Sequence, residues 1–186
     1  MKKQKIQLII LAVLLVAAAL TFYIVKSRND AARAAQPLIG KYTAFSIPSS
    51  DFKSVSIDNH MNDDPTVPEV VLVRDGKNWK FADSDAEVDT MRANQLLSLI
   101  INIPSDHELT DVDKDAYGLD DPITVVVTEK DGTEHVLLFG DKNDYVGEYY
   151  MRNEDTGKVY LVGEKLFAQV CVTEKSMTKQ TEQTEQ

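Results

Sequence analysis

The 186-residue sequence predicts an α+β domain of antiparallel β-hairpins with one main covering helix, preceded by a single transmembrane helix. Three observations predict it. An uncharged apolar run lies near the N-terminus, strand-like runs recur in pairs around turn residues, and one stretch between the first two pairs carries an apolar stripe at helical spacing.

The apolar run extends from Ile6 to Val25, interrupted only by Gln7, Thr21 and Tyr23. At ~1.5 Å per residue it would make a helix ~30 Å long, the thickness of a hydrocarbon core. A cleaved signal peptide is the rival reading, but its apolar region is usually only ~7–15 residues long and a small-residue cleavage site lies close behind it. Here Lys26, Ser27, Arg28, Asn29 and Asp30 come directly after the run, and Ala32-Arg33-Ala34 lies well beyond it. The single cysteine, Cys171, is far from the N-terminus, which excludes a lipoprotein signal. The flanking charges nearly balance: Lys2, Lys3 and Lys5 precede the run, while Lys26, Arg28 and Arg33 succeed it. A short head ahead of an apolar segment favours export of the downstream domain. The expected organisation is a basic cytoplasmic head (1–5), a transmembrane signal anchor (6–25), a stalk (26–37), an extracytoplasmic α+β domain (38–172) and a disordered polar tail (173–186).

Residues 1–35 contain six Lys/Arg and one acid, so residues 36–186 contain fourteen basic and twenty-nine acidic groups, a net of −15. Such a surface repels nucleic acid and anionic lipid headgroups, which makes nucleic-acid binding a poor hypothesis. About 135 residues between Leu38 and Val172 suit one compact domain.

Within that domain, Val55-Ser56-Ile57 alternates as a first strand. Glu69–Arg74 and Asn78–Phe81 flank Asp75-Gly76, and Ile123–Glu129 and His135–Gly140 flank Asp131-Gly132. An Asp-Gly pair between such runs signals a tight hairpin in which both turn positions have φ > 0. A third hairpin runs from Glu148–Arg152 through Asn153–Gly157 to Val159–Val162. The main helix is expected from Asp85 to Ile101. Asp83, Ser84 and Asp85 would cap it, Ala93, Leu96, Leu97, Ile100 and Ile101 would form its stripe, and Pro104 would stop it. A short helix is expected over Glu164–Val170.

No nucleophile–base constellation, Gly-rich phosphate loop or H-E-x-x-H motif is visible, so no catalytic, cofactor-binding or metal-ligating residues are assigned and no cofactor is expected. His60, His107 and His135 are isolated, and His135 reads as a strand residue in a packing role. Cys171 reads as a buried thiol after an apolar helix. Asp111-Val112-Asp113-Lys114-Asp115 copies the opening of a calcium loop but has Ala116 where glycine is needed and Pro122 where glutamate is needed, so it reads as a solvated acidic loop. Tyr117, Tyr145, Tyr149, Tyr150 and Tyr160 could form a binding face, though tyrosine also suits strands for packing alone.

The order Trp79, Tyr117-Gly118-Leu119-Asp120-Asp121-Pro122, Asp131-Gly132, Leu138-Phe139-Gly140, Tyr149-Tyr150-Met151-Arg152 and Val159-Tyr160-Leu161-Val162 resembles the bacterial domain-of-unknown-function family 4340, over about residues 45–170. The resemblance implies a membrane-anchored protein of the bacterial cytoplasmic membrane with its domain outside, an auxiliary component beside an ABC-type transporter, and no catalytic residues. The expected function is thus a non-enzymatic, membrane-anchored extracytoplasmic interaction module with a membrane-protein partner such as a transporter. The alternative is a ligand- or cation-binding module using the acidic loops or the tyrosine-bearing sheet. At the matching positions, Gly118 suits a turn of unusual φ, Pro122 the start of a strand, and Trp79 an apolar anchor.

Overall fold

The computed structural model describes residues 40–59, 69–110, 112–113 and 116–180. The chain divides after Pro37 into two units, and every described residue lies in the second, Leu38–Gln186. In chain order the elements are β1 (Tyr42–Ser46), β2 (Phe52–Asp58), β3 (Glu69–Asp75), β4 (Asn78–Phe81), α1 (Thr90–Ile100), β5 (Asn102–Ser105), β6 (Glu108–Leu109), β7 (Ile123–Glu129), β8 (Glu134–Asn143), β9 (Glu148–Asn153), β10 (Lys158–Val162), α2 (Glu164–Val170) and α3 (Glu174–Met177).

Eight strands form one sheet in the order β4-β3-β2-β7-β8-β9-β10-β6, and β1 pairs with β5 as a separate ribbon. Every pairing is antiparallel. The expected α+β class is therefore corrected: 46% of the described residues are strand and 17% helix, and the hairpins merge into a single sheet. The joint is β2 against β7, a pairing between strands far apart in sequence, with Val55 opposite Val127 and Ile57 opposite Val125.

Directly opposed residues share a sheet face, so the register defines the core. Ile123, Phe139, Met151 and Tyr160 form one cross-strand row, and Leu72, Val55, Val127 and His135 form another. These rows meet Ala93, Leu96, Leu97 and Ile100 of α1 and Phe45 and Ile103 of the ribbon in the main hydrophobic cluster. Buried Asn153 ties the ribbon to the sheet, its Nδ2 donating to the Ala44 carbonyl at 2.8 Å. A smaller cluster of Leu119, Tyr150, Val159 and Leu161 lies on the other face. That is why β9 and β10 are buried on both sides over most of their length, without the buried–exposed alternation of a one-sided strand.

Helix α1 is shorter than expected. Its N-cap is Asp89, whose Oδ1 accepts from the backbone N–H of Met91 (3.0 Å) and Arg92 (3.2 Å), and its C-cap is Ile101. Asp83–Val88 lie before the helix, and Pro104 sits inside β5 instead of terminating α1. Trp79 still anchors its hairpin: it is buried, packs on Phe52 at 5.6 Å, and donates from Nε1 to Asn94 Oδ1 of α1 at 3.0 Å.

The Asp-Gly hairpins form, but not with two left-handed residues. Gly76 has φ +63° and Asp75 is not left-handed, which places the one positive φ at the first loop position. In the second hairpin Gly132 carries the positive φ, and Asp131 Oδ1 accepts from the Thr133 N–H at 2.9 Å. That hydrogen bond holds the Asp131 carboxyl below its ordinary value.

The expected tail is ordered as far as residue 180. Thr173 and Ser176 form a reciprocal capping box at the start of α3, Met177 is buried, and Val88 bridges Thr178. Its polar composition concealed one apolar residue, Met177, that docks the segment. Residues 181–186 lie outside the described residues, as do the expected head, anchor and stalk. The membrane placement is corrected as well: among the described residues no helix is long and apolar enough to cross a membrane, and the Ile6–Val25 run is not among them.

Candidate functional site

Strand direction sorts the loops into two groups at opposite ends of the sheet. At one end lie the β1–β2, β3–β4, β7–β8 and β9–β10 turns; at the other lies the β8–β9 turn.

His135 sits at the first end, on the core-facing side of β8, with its side chain 16% exposed. Its Nδ1 meets Asp155 Oδ2 at 2.6 Å and its Nε2 meets Glu129 Oε1 at 2.8 Å, while the Phe45 ring packs edge-on at 5.3 Å. Carboxylates accept and do not donate, so this geometry is matched by the doubly protonated ring and favours the imidazolium form. Burial disfavours that charged ring, but its hydrogen bonds to Glu129 and Asp155, with their negative charges, outweigh it and raise the pKa above the ordinary 6.5. Asp155 is itself positioned by Asn153, whose Oδ1 accepts its N–H at 2.9 Å. The cluster clasps the β7–β8 and β9–β10 turns together.

The two carboxylates lie on opposite sides of the ring and cannot converge on one cation. Among the described residues no group of three or more His, Cys, Asp or Glu could hold a metal. Because the folded-state pKa is raised, the clasp contributes fully below about pH 6.5 and its contribution is lost as pH rises through the folded-state value. His135→Asn is therefore expected to cost about 1–2 kcal/mol in urea unfolding at pH 6, shrinking towards zero by pH 9. An equal cost at both values would show that the ring acts through packing alone.

At the opposite end, Tyr117 and Tyr150 stack at 4.1 Å with 14° between their planes. Tyr117 (φ +65°) and Gly118 (φ +71°) are consecutive left-handed residues, a sharp bend that returns the chain across β8. The Tyr117 carbonyl accepts from Asp141 N–H at 2.8 Å, and Leu119 plugs the smaller cluster. Asn143 Nδ2 donates to the Tyr150 hydroxyl at 2.7 Å, and Asn143 Oδ1 accepts from Tyr145 N–H at 3.0 Å. The side chains beyond this scaffold are unusually bare: Tyr145 is 100% exposed, Val146 50% and Tyr117 44%.

Of the five tyrosines expected as a face, Tyr117, Tyr150 and Tyr145 are gathered here. Tyr149 stacks on Phe167 at 3.6 Å on the core side, and Tyr160 is buried in the main core. Alternation along β9 separates Tyr149 from Tyr150. His107 is exposed, beside β6 and away from His135, and its carbonyl accepts from Leu161 N–H at 3.1 Å. His60, Asp111, Lys114 and Asp115 lie outside the described residues. Cys171 is exposed at the C-cap of α2, not buried as expected, although partial burial raises its thiol pKa.

The His135 clasp was missed in sequence because Asp155 arrives from a different hairpin. A signal for half of it existed, since Glu129 and His135 flank the Asp131-Gly132 turn.

No curated protein and no solved structure matches this chain. Residues 79–181, more than half of the chain, match the family described as "Domain of unknown function (DUF4340)". That match starts at Trp79 and runs past the short α3 helix, later at both ends than the resemblance read from sequence motifs, so β1, β2 and β3 lie ahead of it. With the Tyr117-Gly118-Leu119 bend, the β8–β9 corner and the β10 strand all inside the matched span, the chain belongs to the DUF4340 family.

Proposed function

We propose that the domain is a non-catalytic interaction module that receives a basic protein partner on the Tyr117–Tyr145–Val146 corner. One observation carries this reading: a tyrosine that is 100% exposed stands on a hairpin whose base is fixed by Asn143 and the Tyr117–Tyr150 stack. Tyrosine offers a large contact area with few rotatable bonds, and a braced hairpin loses little entropy on docking. Asp120, Asp121 and Asp144 are exposed around it, on a domain with a net charge of −15 over residues 36–186, so the complementary surface is basic. A component of an ABC-type transporter is the partner that the family resemblance supplies.

Photo-crosslinking from position 145, with Glu134 at the opposite sheet end as control site, tests the reading. A discrete adduct from 145 alone is expected. Tyr145→Ala should weaken retention of that partner by about tenfold or more while leaving the melting temperature unchanged, because the ring buries nothing. Equal capture by wild type and Tyr145→Ala would sink the proposal.

A further inference from the structure

A second surface lies at the far end of the sheet. Ser49, Ser50, Phe52, Lys53, Arg74 and Lys130 line a cleft of about 430 Å³ between the β1–β2, β3–β4 and β7–β8 turns. Three of the fourteen cations of residues 36–186 converge here, against a background of twenty-nine acids. Among the described residues none of the three forms an ion pair, and the carboxylates closest to them in sequence, Asp51, Asp75, Glu129 and Asp131, do not pair with them.

Two of the cations are instead held by neutral groups. Arg74 Nη1 donates to the carbonyl and to the hydroxyl oxygen of Ser49, each at 3.3 Å. Lys130 Nζ donates to the Ser50 carbonyl at 2.6 Å, and Lys130 N–H donates to the Asp51 carbonyl at 2.7 Å. Carbonyl tethers fix position without cancelling charge. The Arg74 Nε and Nη2 groups keep their donors unused among the described residues, as does the Lys53 ammonium. Fully buried Phe52 lines the cleft and provides an apolar wall, which strengthens the field of the charges beside it.

We propose that this cleft binds a phosphate-class oxyanion. The planar Arg74 fork takes two of its oxygens through Nε and Nη2, and the Lys53 and Lys130 ammonium groups neutralise the remaining charge. The Ser49 hydroxyl, which accepts from Arg74, has its own proton to donate, whereas the Ser50 hydroxyl donates to Asp51 Oδ1 at 3.0 Å. A monocarboxylate offers only two oxygens and one charge to the same set. This end of the sheet is remote from the tyrosine corner, so the site is independent of the docking reading. Apart from Lys130, the lining residues precede the matched family span, which makes the cleft a property of this chain's N-terminal strands.

The test is titration of the full chain with inorganic phosphate, a nucleoside monophosphate and acetate at constant ionic strength, read by calorimetry and by melting temperature. Saturable binding of phosphate or the monoester, with acetate much weaker, is expected; the tighter of the two identifies the ligand as free phosphate or an ester. Arg74→Gln combined with Lys130→Gln should weaken it by about tenfold or more. Arg74 also tethers the β1–β2 turn, so Lys53→Gln, at an exposed side chain with no hydrogen bond or ion pair among the described residues, provides a variant expected to fold as wild type and still to weaken binding. Lys165→Gln with Lys175→Gln removes the same charge elsewhere and should change nothing. Absence of saturation, acetate binding as tightly as phosphate, or equal weakening by the control pair would each overturn the proposal.

Discussion

Gly140→Ala is expected to destabilise the domain by about 3 kcal/mol, more than any conservative surface change. A Cβ at Gly140 would stand 2.3 Å from the Tyr117 carbonyl oxygen and 3.1 Å from the Gly118 carbonyl carbon. Both neighbours are backbone, so no rotamer change relieves the overlap. The bend would have to lift off β8, breaking the 2.8 Å hydrogen bond from Asp141 N–H to the Tyr117 carbonyl and withdrawing Leu119 from the smaller cluster. Gly118→Ala provides the internal comparison. Its Cβ would meet the Asp141 side chain at 2.6 Å, a group able to swing aside, although the Asp141 backbone nitrogen at 2.9 Å and φ of +71° add strain. Urea unfolding should therefore rank Gly140→Ala as the costlier of the two. A Gly140→Ala protein within 1 kcal/mol of wild type would mean that the bend is not packed on β8 as described. The stack of Tyr117 on Tyr150 should loosen with it, so the docking corner and the stability of this bend are linked.

Much of the strand pattern was legible because its causes are local. Asn78–Phe81 and Ile123–Glu129 occupy the residues that alternation and the Asp-Gly turns indicate, and Glu164–Val170 is helical as its composition suggests. The illegible part is non-local. Asn102-Ile103-Pro104-Ser105 contains proline and comes after a helix, so it reads as a terminator, yet it pairs with Tyr42–Ser46 across a bulge. Two-residue β6 is too short for any period, and it forms because Leu161 N–H reaches the His107 carbonyl and Lys158 Nζ grips Glu108 at 3.0 Å. Nothing within either segment announces that β2 will pair with β7, and that one pairing turns separate hairpins into an eight-stranded sheet.

The sites obey the same division. Tyr117 and Tyr145 could be suspected from composition, but only the left-handed bend and the Asn143 bridge bring them to one corner and leave Tyr149 and Tyr160 behind. The basic cleft collects Ser49 from the β1–β2 turn, Arg74 from the end of β3 and Lys130 from the β7–β8 turn, which become neighbours only through the strand order β3-β2-β7. In an acidic chain those lysines look like scattered solubilising charges. Their significance lies in the carboxylates that are not paired with them.

Phe139→Ala is expected to cost about 3–5 kcal/mol, by the opposite mechanism from its chain neighbour Gly140. Phe139 is 1% exposed and points into the main cluster, in the row with Ile123, Met151 and Tyr160, whereas Gly140 faces the bend on the other side of the sheet. Truncation removes a ring from a site that antiparallel hydrogen bonds on both flanks prevent from collapsing, so the loss includes a cavity term as well as transfer of the missing atoms. Leu138→Ala, on the partly buried outer face, should cost distinctly less, and Phe139→Leu should recover most of the loss. The two mechanisms separate in one further measurement. A dry, apolar cavity left by Phe139→Ala should take up benzene and raise the melting temperature of that variant, while benzene should leave Gly140→Ala unchanged because there the fault is excess volume. If Leu138→Ala proves as damaging as Phe139→Ala, stability is shared evenly between the two faces. The sheet would then be a central layer between two comparable cores, in place of one main core with a small plug on its outer side.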